Sequence, residues 1–504
     1  MTAETGIAGA VRTVRVEPLG PLQTSLIFGV GARDESCVTA GITHVIEHLA
    51  LDGLPEPVYP TNGCVESRTT RFEFSGPGDV VGESLTGLAG SLRRIADGRV
   101  SAAELASAVA VIRAEGEASP VHPVAAEAAM NSMGLRGAGL NSADSDWLEL
   151  LTVEEIARYA STYFVRENAV LLWAGEPPLT ADLSALPSGD RNLPPVAAPV
   201  VVEGPCEYLS GGRQASLSFR TVSASSGLDA LVSGVLMCLE RRLIRELRRR
   251  AALIYGAETH RLQLARETDL VTIAFDARPA HAVEIAQTAL RLLRETRDRG
   301  LPPQDVDAVL AALAHERLEP GLRIEYGYAQ VNSLLFDEPP AGPEAVEAAL
   351  TGATPEDVRR CLESLESTLL VGLPEDALDE SVDPAVGHVA PVRRPRPAPP
   401  IDGRAFGRSM LATVTREPRS TRLVIGDDGF RATLDDESIL VRWTDIVALE
   451  AYDDDVLDGV SVQTADGFEI PLLAATFRKG EEAIRLIRER VPARLQVPAG
   501  YSEG

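Results

Sequence analysis

The segment Gly41-Ile42-Thr43-His44-Val45-Ile46-Glu47-His48 places two histidines four residues apart, with a glutamate directly before the second. Residues 41–51 have the pattern of a helix, in which side chains four residues apart project from the same face. Two imidazoles at that spacing can bind one zinc ion, and Glu47 beside them can accept a proton from a bound water. The order inverts the commoner His-Glu-x-x-His motif. This pattern predicts a helix that binds a catalytic zinc ion. The alternative is a surface helix that happens to carry two of the seven histidines.

A third zinc ligand is expected from a second helix. Ser101 and Glu104 have the spacing of a capping box, which predicts a helix that runs on to Glu115 and Glu117. Catalytic zinc keeps three protein ligands and leaves its fourth position to water. From the residues alone, both later glutamates could equally be ordinary surface carboxylates.

The chain is long and acidic, with 504 residues and a formal net charge of -26. This length predicts about three domains. A nucleic-acid-binding protein needs a basic face that releases counterions from phosphates, so the acidic charge argues against nucleic acid as a partner. The negative surface either attracts basic peptides or simply keeps the protein in solution.

Neither the cysteines nor the apolar runs indicate export or membrane insertion. The five cysteines are scattered without a Cys-x-x-Cys pair, which indicates neither a disulfide framework nor a cysteine zinc site. The residues after Met1 lack the basic and apolar regions of a signal peptide. Apolar runs such as residues 169–174 are far shorter than the ~20 residues of a membrane span. We expect a cytoplasmic protein without a membrane span.

Two proline-rich stretches, which favour extended backbone, divide the chain into three parts. The predicted division is a first domain over residues 1–175, a linker over 176–205, a second domain over 206–375, a proline-rich linker over 376–404, and a third domain over 405–504.

The first two domains share a local pattern. Thr152 and Thr354 are each followed by acidic residues, a short helical pattern and an apolar run, and each threonine can cap its helix. The apolar runs at residues 169–175 and 367–372 are typical of buried strands. The pattern predicts an internal duplication of an α+β unit.

The third domain has a different pattern. Short alternating segments at residues 438–443, 459–464 and 468–473 are separated by turn residues and predict strands. An amphipathic helix is predicted at about residues 479–490. We expect a small antiparallel β domain, barrel-like in form, closed by that helix.

These segments resemble the pitrilysin/insulinase family of zinc metallopeptidases, which includes the mitochondrial processing peptidases, over about residues 12–375. Residues 27–35 together with the helix at 41–48 are similar to the family's strand, turn and metal helix. Val111-Ile112-Arg113-Ala114-Glu115 is similar to the segment with the third zinc ligand, which assigns that role to Glu115 rather than Glu117. The resemblance implies an α+β fold of two duplicated αβ sandwich domains and one zinc ion per chain.

The resemblance also implies substrate-binding residues. Asn62-Gly63 is similar to the family's edge strand, to which substrate adds as an extra strand. The segment from Arg242 to Tyr255 resembles the family's arginine–tyrosine segment, which assigns Arg248 and Tyr255 to substrate contact or oxyanion stabilisation. A cation and a phenol suit charge that develops on a carbonyl oxygen.

The expected function is a zinc metalloendopeptidase that cleaves peptides or unfolded segments in a chamber between paired subunits. The resemblance implies a homodimer with composite sites, or a heterodimer with a related subunit. The alternative is an inactive assembly or adaptor protein, or partner subunit, that keeps the peptidase fold.

The third domain resembles a pleckstrin-homology module at Arg442-Trp443-Thr444-Asp445-Ile446. Its loops carry acidic residues, among them Asp453, Asp454 and Asp455, and no basic cluster. We therefore expect protein docking rather than phosphoinositide binding.

Overall fold

The computed structural model of the chain describes residues 4–8, 11–18, 20–115, 122–142, 147–175, 181–191, 206–209, 214–222, 228–265, 268–319, 321–338, 342–374, 390–391, 398–410, 412, 418–434, 437–454 and 457–498. Glu117, Asp455 and most of both predicted linkers lie outside these residues. No helix in the described part of the chain is long and apolar enough to cross a membrane.

A six-stranded sheet organises the first part of the chain. Its strands are β1 (Glu4–Ala8), β2 (Val11–Val16), β3 (Leu22–Phe28), β4 (Thr61–Val65), β5 (Thr70–Gly76) and β6 (Ala169–Ala174). Their order is β1-β2-β6-β3-β5-β4; β2 and β6 run parallel and the other neighbours antiparallel. One face is covered by helices α1 (Ile42–Asp52), α2 (Gly78–Ala96), α3 (Ala102–Glu115) and α5 (Val153–Tyr163).

A second six-stranded sheet repeats this plan. Its strands are β7 (Cys206–Leu209), β8 (Ser216–Val222), β9 (Ile254–Ala265), β10 (Thr268–Ala277), β11 (Leu370–Leu373) and β12 (Ala390–Pro391). In the order β12-β7-β11-β8-β10-β9, the five strands from β7 to β9 match the first sheet from β2 to β4, including the parallel pair, here β7 and β11. The outer strand differs, because β12 runs parallel to β7 whereas β1 runs antiparallel to β2. The two sheets thus have the topology of an internal duplication. β12 comes from the stretch predicted as a linker, where an edge position tolerates a proline.

The helices of the second part of the chain follow the same arrangement. They are α6 (Leu228–Leu243), which continues as a π-helical segment (Ile244–Arg250), and α7 (Ala282–Arg299), α8 (Pro303–Glu316), α9 (Leu322–Phe336), α10 (Pro343–Gly352) and α11 (Pro355–Glu366). Helices α6, α7 and α11 cover the core face of the second sheet. The side chains of Thr152 and Thr354 accept hydrogen bonds from the first turns of α5 and α11, as the sequence predicted.

Each of the first two parts of the chain contributes one helix that packs on the sheet of the other part. Helix α4 (Pro123–Met133) belongs to the first part of the chain but packs on the second sheet, against Leu262 and Leu264 of β9. Helix α9 does the reverse and packs on β2 and β6 of the first sheet through residues such as Val331 and Leu335. Because helices cover both of its faces, β6 is buried along its whole length and is a continuous apolar run.

The third part of the chain contains two four-stranded sheets. Their strands are β13 (Arg404–Gly407), β14 (Arg422–Ile425), β15 (Gly429–Leu434) and β16 (Glu437–Arg442), then β17 (Ile446–Asp454), β18 (Leu457–Thr464), β19 (Glu469–Leu473) and β20 (Gln496–Val497). Helix α12 (Gly480–Arg490) packs into the core between them, as expected.

The strands of this third part that the structure describes form two sheets, and no closed barrel is found among them. After β16 the chain enters a 3-10 turn at Trp443–Asp445, which interrupts the ladder before β17 begins. The third part also packs on the first. The Leu135 amide donates to the Ala465 carbonyl at 3.1 Å, and Cys37 and Trp147 share an apolar cluster with Ala448.

Candidate metal centre

Helix α1 begins at a cap that the sequence analysis did not identify. The carboxylate of Glu35 accepts hydrogen bonds from the backbone amides of Gly41 at 2.6 Å and Thr43 at 2.9 Å. Gly41 adopts a left-handed conformation, with φ of 90°, which glycine tolerates without strain. Burial raises the pKa of Glu35 to about 7. The sequence did contain a signal for this cap, namely an acidic residue shortly before the start of the helix.

The opposite face of α1 fixes its rotation about its own axis. Ile42, Val45, Ile46 and Leu49 are buried in the core beneath the first sheet. Since the helix repeats every 3.6 residues, this packing turns His44 and His48 towards α3.

The three predicted metal ligands lie together. The Nε2 atoms of His44 and His48 are 3.2 Å apart. The Oε2 atom of Glu115 lies 3.3 Å from His48 Nε2 and 3.5 Å from His44 Nε2. Glu115 is the last residue of α3 and follows His48 by 67 positions in the sequence. The group therefore joins two helices that are distant along the chain.

These distances fit a zinc ion. With zinc–ligand bonds of roughly 2.0–2.1 Å and tetrahedral angles, neighbouring ligand atoms are separated by about 3.3 Å. The three side-chain atoms therefore have the spacing of one face of a coordination tetrahedron. The side chains of His44 and Glu115 are 36% and 44% exposed, so the fourth position is open to water or substrate.

Glu47 lies beside this group. Its Oε2 atom is 3.7 Å from His44 Nε2 and 3.8 Å from His48 Nε2, and its side chain is 7% exposed. The pKa of Glu47 is raised to about 7, mainly by burial; His48 opposes this shift and the nearby Glu115 contributes to it. A carboxylate with a pKa near neutrality is suited to accept and return a proton.

Strand β4 leaves room for Glu47. β4 is an edge strand of the first sheet, Asn62 on it is exposed, and Gly63 faces the Glu47 side chain. A Cβ atom on Gly63 would overlap the Glu47 carboxylate and lie 2.7 Å from its Cγ atom. The outer edge of β4 pairs with no other strand that the structure describes, so it offers backbone groups to which an extended peptide can add as another strand.

Gly63→Ala is expected to displace the Glu47 carboxylate and to lower any hydrolytic activity of the protein by at least about 10-fold, with zinc content unchanged. The matched control is Gly90→Ala, because a Cβ there meets no atom within 4 Å and alanine favours its helix. Turnover and zinc content are measured on both variants. Normal turnover in Gly63→Ala would show that the position of Glu47 is unimportant.

Arg248 and Tyr255 lie next to each other, and no hydrogen bond or ion pair in the described part of the chain joins them to the metal group. Arg248 lies on the π-helical segment and Tyr255 on β9, an edge strand of the second sheet, and the Arg248 Cζ atom is 5.1 Å from the centre of the Tyr255 ring. The Tyr255 side chain is 74% exposed. Among the described residues, neither side chain forms a hydrogen bond or ion pair with His44, His48 or Glu115.

A known protein family matches part of the chain. The family model described as Peptidase M16 inactive domain matches residues 150–313, about a third of the sequence. This segment contains Arg248 and Tyr255 but none of the metal group. No curated protein matches the sequence.

Solved structures share the fold at low sequence identity. The first half of the periplasmic protease PqqL from Escherichia coli has a TM-score of 0.57 and 13% identity, over 76% of this chain and 94% of that one. A chain of Complex III2 from Candida albicans has a TM-score of 0.60 and 13% identity, over 75% and 97%. Pitrilysin has a TM-score of 0.55 and 14% identity; 74% of this chain matches 45% of that one. The chain therefore has an M16 peptidase-like fold with several sheets.

Proposed function

We propose that the protein is a zinc-dependent metalloendopeptidase that cleaves peptides or unfolded segments. The observation that carries this proposal is the group of His44, His48 and Glu115, whose ligand atoms are 3.2–3.5 Å apart beside the buried Glu47. These three residues would hold one zinc ion per chain. A bound zinc ion supplies a water of lowered pKa and polarises the carbonyl of the scissile bond.

The chain's own residues supply the remaining chemistry. Glu47 accepts a proton from the attacking water and donates it to the departing amine. The edge of β4 at Asn62 and Gly63 orients the peptide as an added strand. Arg248 and Tyr255 contact the substrate and stabilise negative charge on its carbonyl oxygen.

The direct test is cleavage of a mixture of unstructured peptides by the zinc-loaded chain, followed by mass spectrometry. We expect cleavage that a chelator abolishes and that one equivalent of zinc restores. A folded, zinc-loaded chain that cleaves none of the peptides would favour the second candidate function.

The second candidate is a non-catalytic assembly or adaptor protein, or an inactive partner subunit. Two observations favour it: residues 150–313 match a domain described as inactive, and a chain of Complex III2 shares the fold. Against it stands the complete set of three ligand side chains and a base, for which an adaptor has no use.

We further propose that two subunits together form each active site. Arg248 and Tyr255 are exposed, and among the described residues neither forms a hydrogen bond or ion pair with the metal group, so a partner's second sheet could supply them. The partner is a second copy of this chain or a related subunit.

The third part of the chain, which we propose is a pleckstrin-homology-like module, would assist assembly by docking a protein. The free thiols of Cys37, Cys64, Cys238 and Cys361 suit a reducing cytoplasm.

Mixing two inactive variants tests the composite site. Glu47→Gln and Arg248→Ala are each expected to be inactive alone. After equal mixing and subunit exchange, half of the dimers are mixed and each mixed dimer has one intact site, so about a quarter of the wild-type activity should return. If Arg248 acts within its own chain, mixing restores nothing. Each variant mixed with itself is the control.

A further inference from the structure

A second histidine pair lies where the first and second sheets exchange helices. His122 directly precedes α4, while Glu258 and His260 lie on β9, the edge strand of the second sheet. Residues two apart on a strand point to the same side, so Glu258 and His260 share the face of β9 whose Leu262 and Leu264 pack against α4. The three residues therefore extend the α4–β9 contact at the start of the helix.

The ligand atoms of these residues are already close. One nitrogen of each histidine and one carboxylate oxygen of Glu258 all lie within 4.8 Å of one another. The His122 and His260 rings are stacked, with centres 4.2 Å apart and planes inclined by 17°. The Oε2 atom of Glu258 is 3.8 Å from His260 Nε2, which is too far for a hydrogen bond.

Each of the two histidines has a ring nitrogen that no group in the described part of the chain satisfies. His122 Nδ1 and His260 Nε2 are both buried, and neither has a hydrogen-bond partner among the described residues. A buried polar atom without a partner costs about 1–3 kcal/mol, and buried polar atoms are nearly always satisfied. A histidine ring nitrogen without a hydrogen-bond partner is available to bind a metal ion.

We infer that His122, Glu258 and His260 bind a divalent transition-metal ion of the zinc type, at a site distinct from the group at His44. Two imidazoles and a carboxylate are a ligand set that such ions accept, with water as the fourth ligand. The present spacing is wider than a coordination edge of about 3.3 Å. The Glu258 side chain is 75% exposed, so it has the freedom to swing towards the histidines.

The position of this second site gives it a structural role. An ion there crosslinks α4, which comes from the first part of the chain, to the second sheet. His122 follows Glu115 by seven residues, and Glu258 follows Tyr255 by three on the same strand. A bound ion would thus fix both the start of α4 and the strand that carries Tyr255. The metal binding itself does not depend on peptidase activity.

The test is zinc titration of the full-length protein in competition with a chromophoric chelator. His48→Ala removes a ligand of the first group and serves as the background. In this background we expect one remaining zinc ion per chain and a melting temperature that rises with added zinc. The further change His260→Ala should weaken that binding by about 100-fold and abolish the rise.

Two further variants make the titration decisive. Glu258→Gln changes an exposed side chain without removing a buried ring, and it should weaken the remaining binding by about 10-fold even if His260→Ala fails to fold. His315→Ala is the matched control, because His315 is an exposed histidine 3.6 Å from Glu319; we expect no change. The inference is overturned if the His48→Ala protein binds no zinc, or if its zinc affinity is the same with and without Glu258→Gln.

Discussion

Glu47→Gln is expected to lower peptide hydrolysis by about 10²- to 10⁴-fold, the contribution of a positioned general acid–base group, while zinc remains bound. The glutamine amide has nearly the same shape as the carboxylate, so it fits the space beside Gly63. It cannot accept the proton of the attacking water, because the amide is not basic. Zinc content should hold, since Glu47 Oε2 lies 3.7 and 3.8 Å from the histidine nitrogens and the ligand set is complete without it.

The measurement combines turnover of a cleaved peptide with zinc content per chain. Glu56→Gln is the matched control, because Glu56 is exposed; its turnover should equal that of the wild type. Turnover retained in Glu47→Gln would exclude this residue as the base. Loss of zinc in the same variant would instead show that Glu47 helps to hold the metal.

Glu115→Ala is expected to weaken zinc binding at the first group by about 10²- to 10³-fold. Apparent binding energies of structural zinc sites are about 10–16 kcal/mol, which corresponds to about 2.5–4 kcal/mol for each of four ligands. His48→Ala should have a similar effect at this group. Glu115 ends α3 with its side chain 44% exposed, so its replacement should leave the fold unchanged, which circular dichroism can check.

Glu117→Ala is the control that separates the two glutamates the sequence left open. Its zinc affinity at the first group should equal that of the wild type. If Glu117→Ala loses zinc and Glu115→Ala keeps it, the third ligand has been assigned to the wrong residue. The two groups must be titrated separately in these experiments, because the second site at His260 is expected to retain its own ion.

Local features of the structure followed from the sequence. The predicted helix over residues 41–51 is α1, and the predicted helix at about 479–490 is α12. The caps at Thr152 and Thr354 form with partners three residues away. These features depend on hydrogen bonds and side-chain periods within a few residues, so the neighbouring sequence is sufficient to specify them.

Features that depend on distant segments were predicted less well. The third part of the chain has its predicted strands, but its two sheets do not close into a barrel among the described residues, because pairing breaks at Trp443–Asp445. Strand β12 comes from residues expected to be a linker. An alternating pattern indicates a strand but does not specify which strand lies beside it.

The sequence by itself determined that His44 and His48 share one face of a helix, since the helical period places residues four apart together. Only the tertiary structure decided that Glu115, from 67 residues away, lies within 3.5 Å of both histidine nitrogens. It also decided that Gly63 makes room for Glu47 and that His122 stacks on His260. Each of these contacts joins segments brought together by the packing of helices on two sheets, and no local pattern of residues encodes that packing.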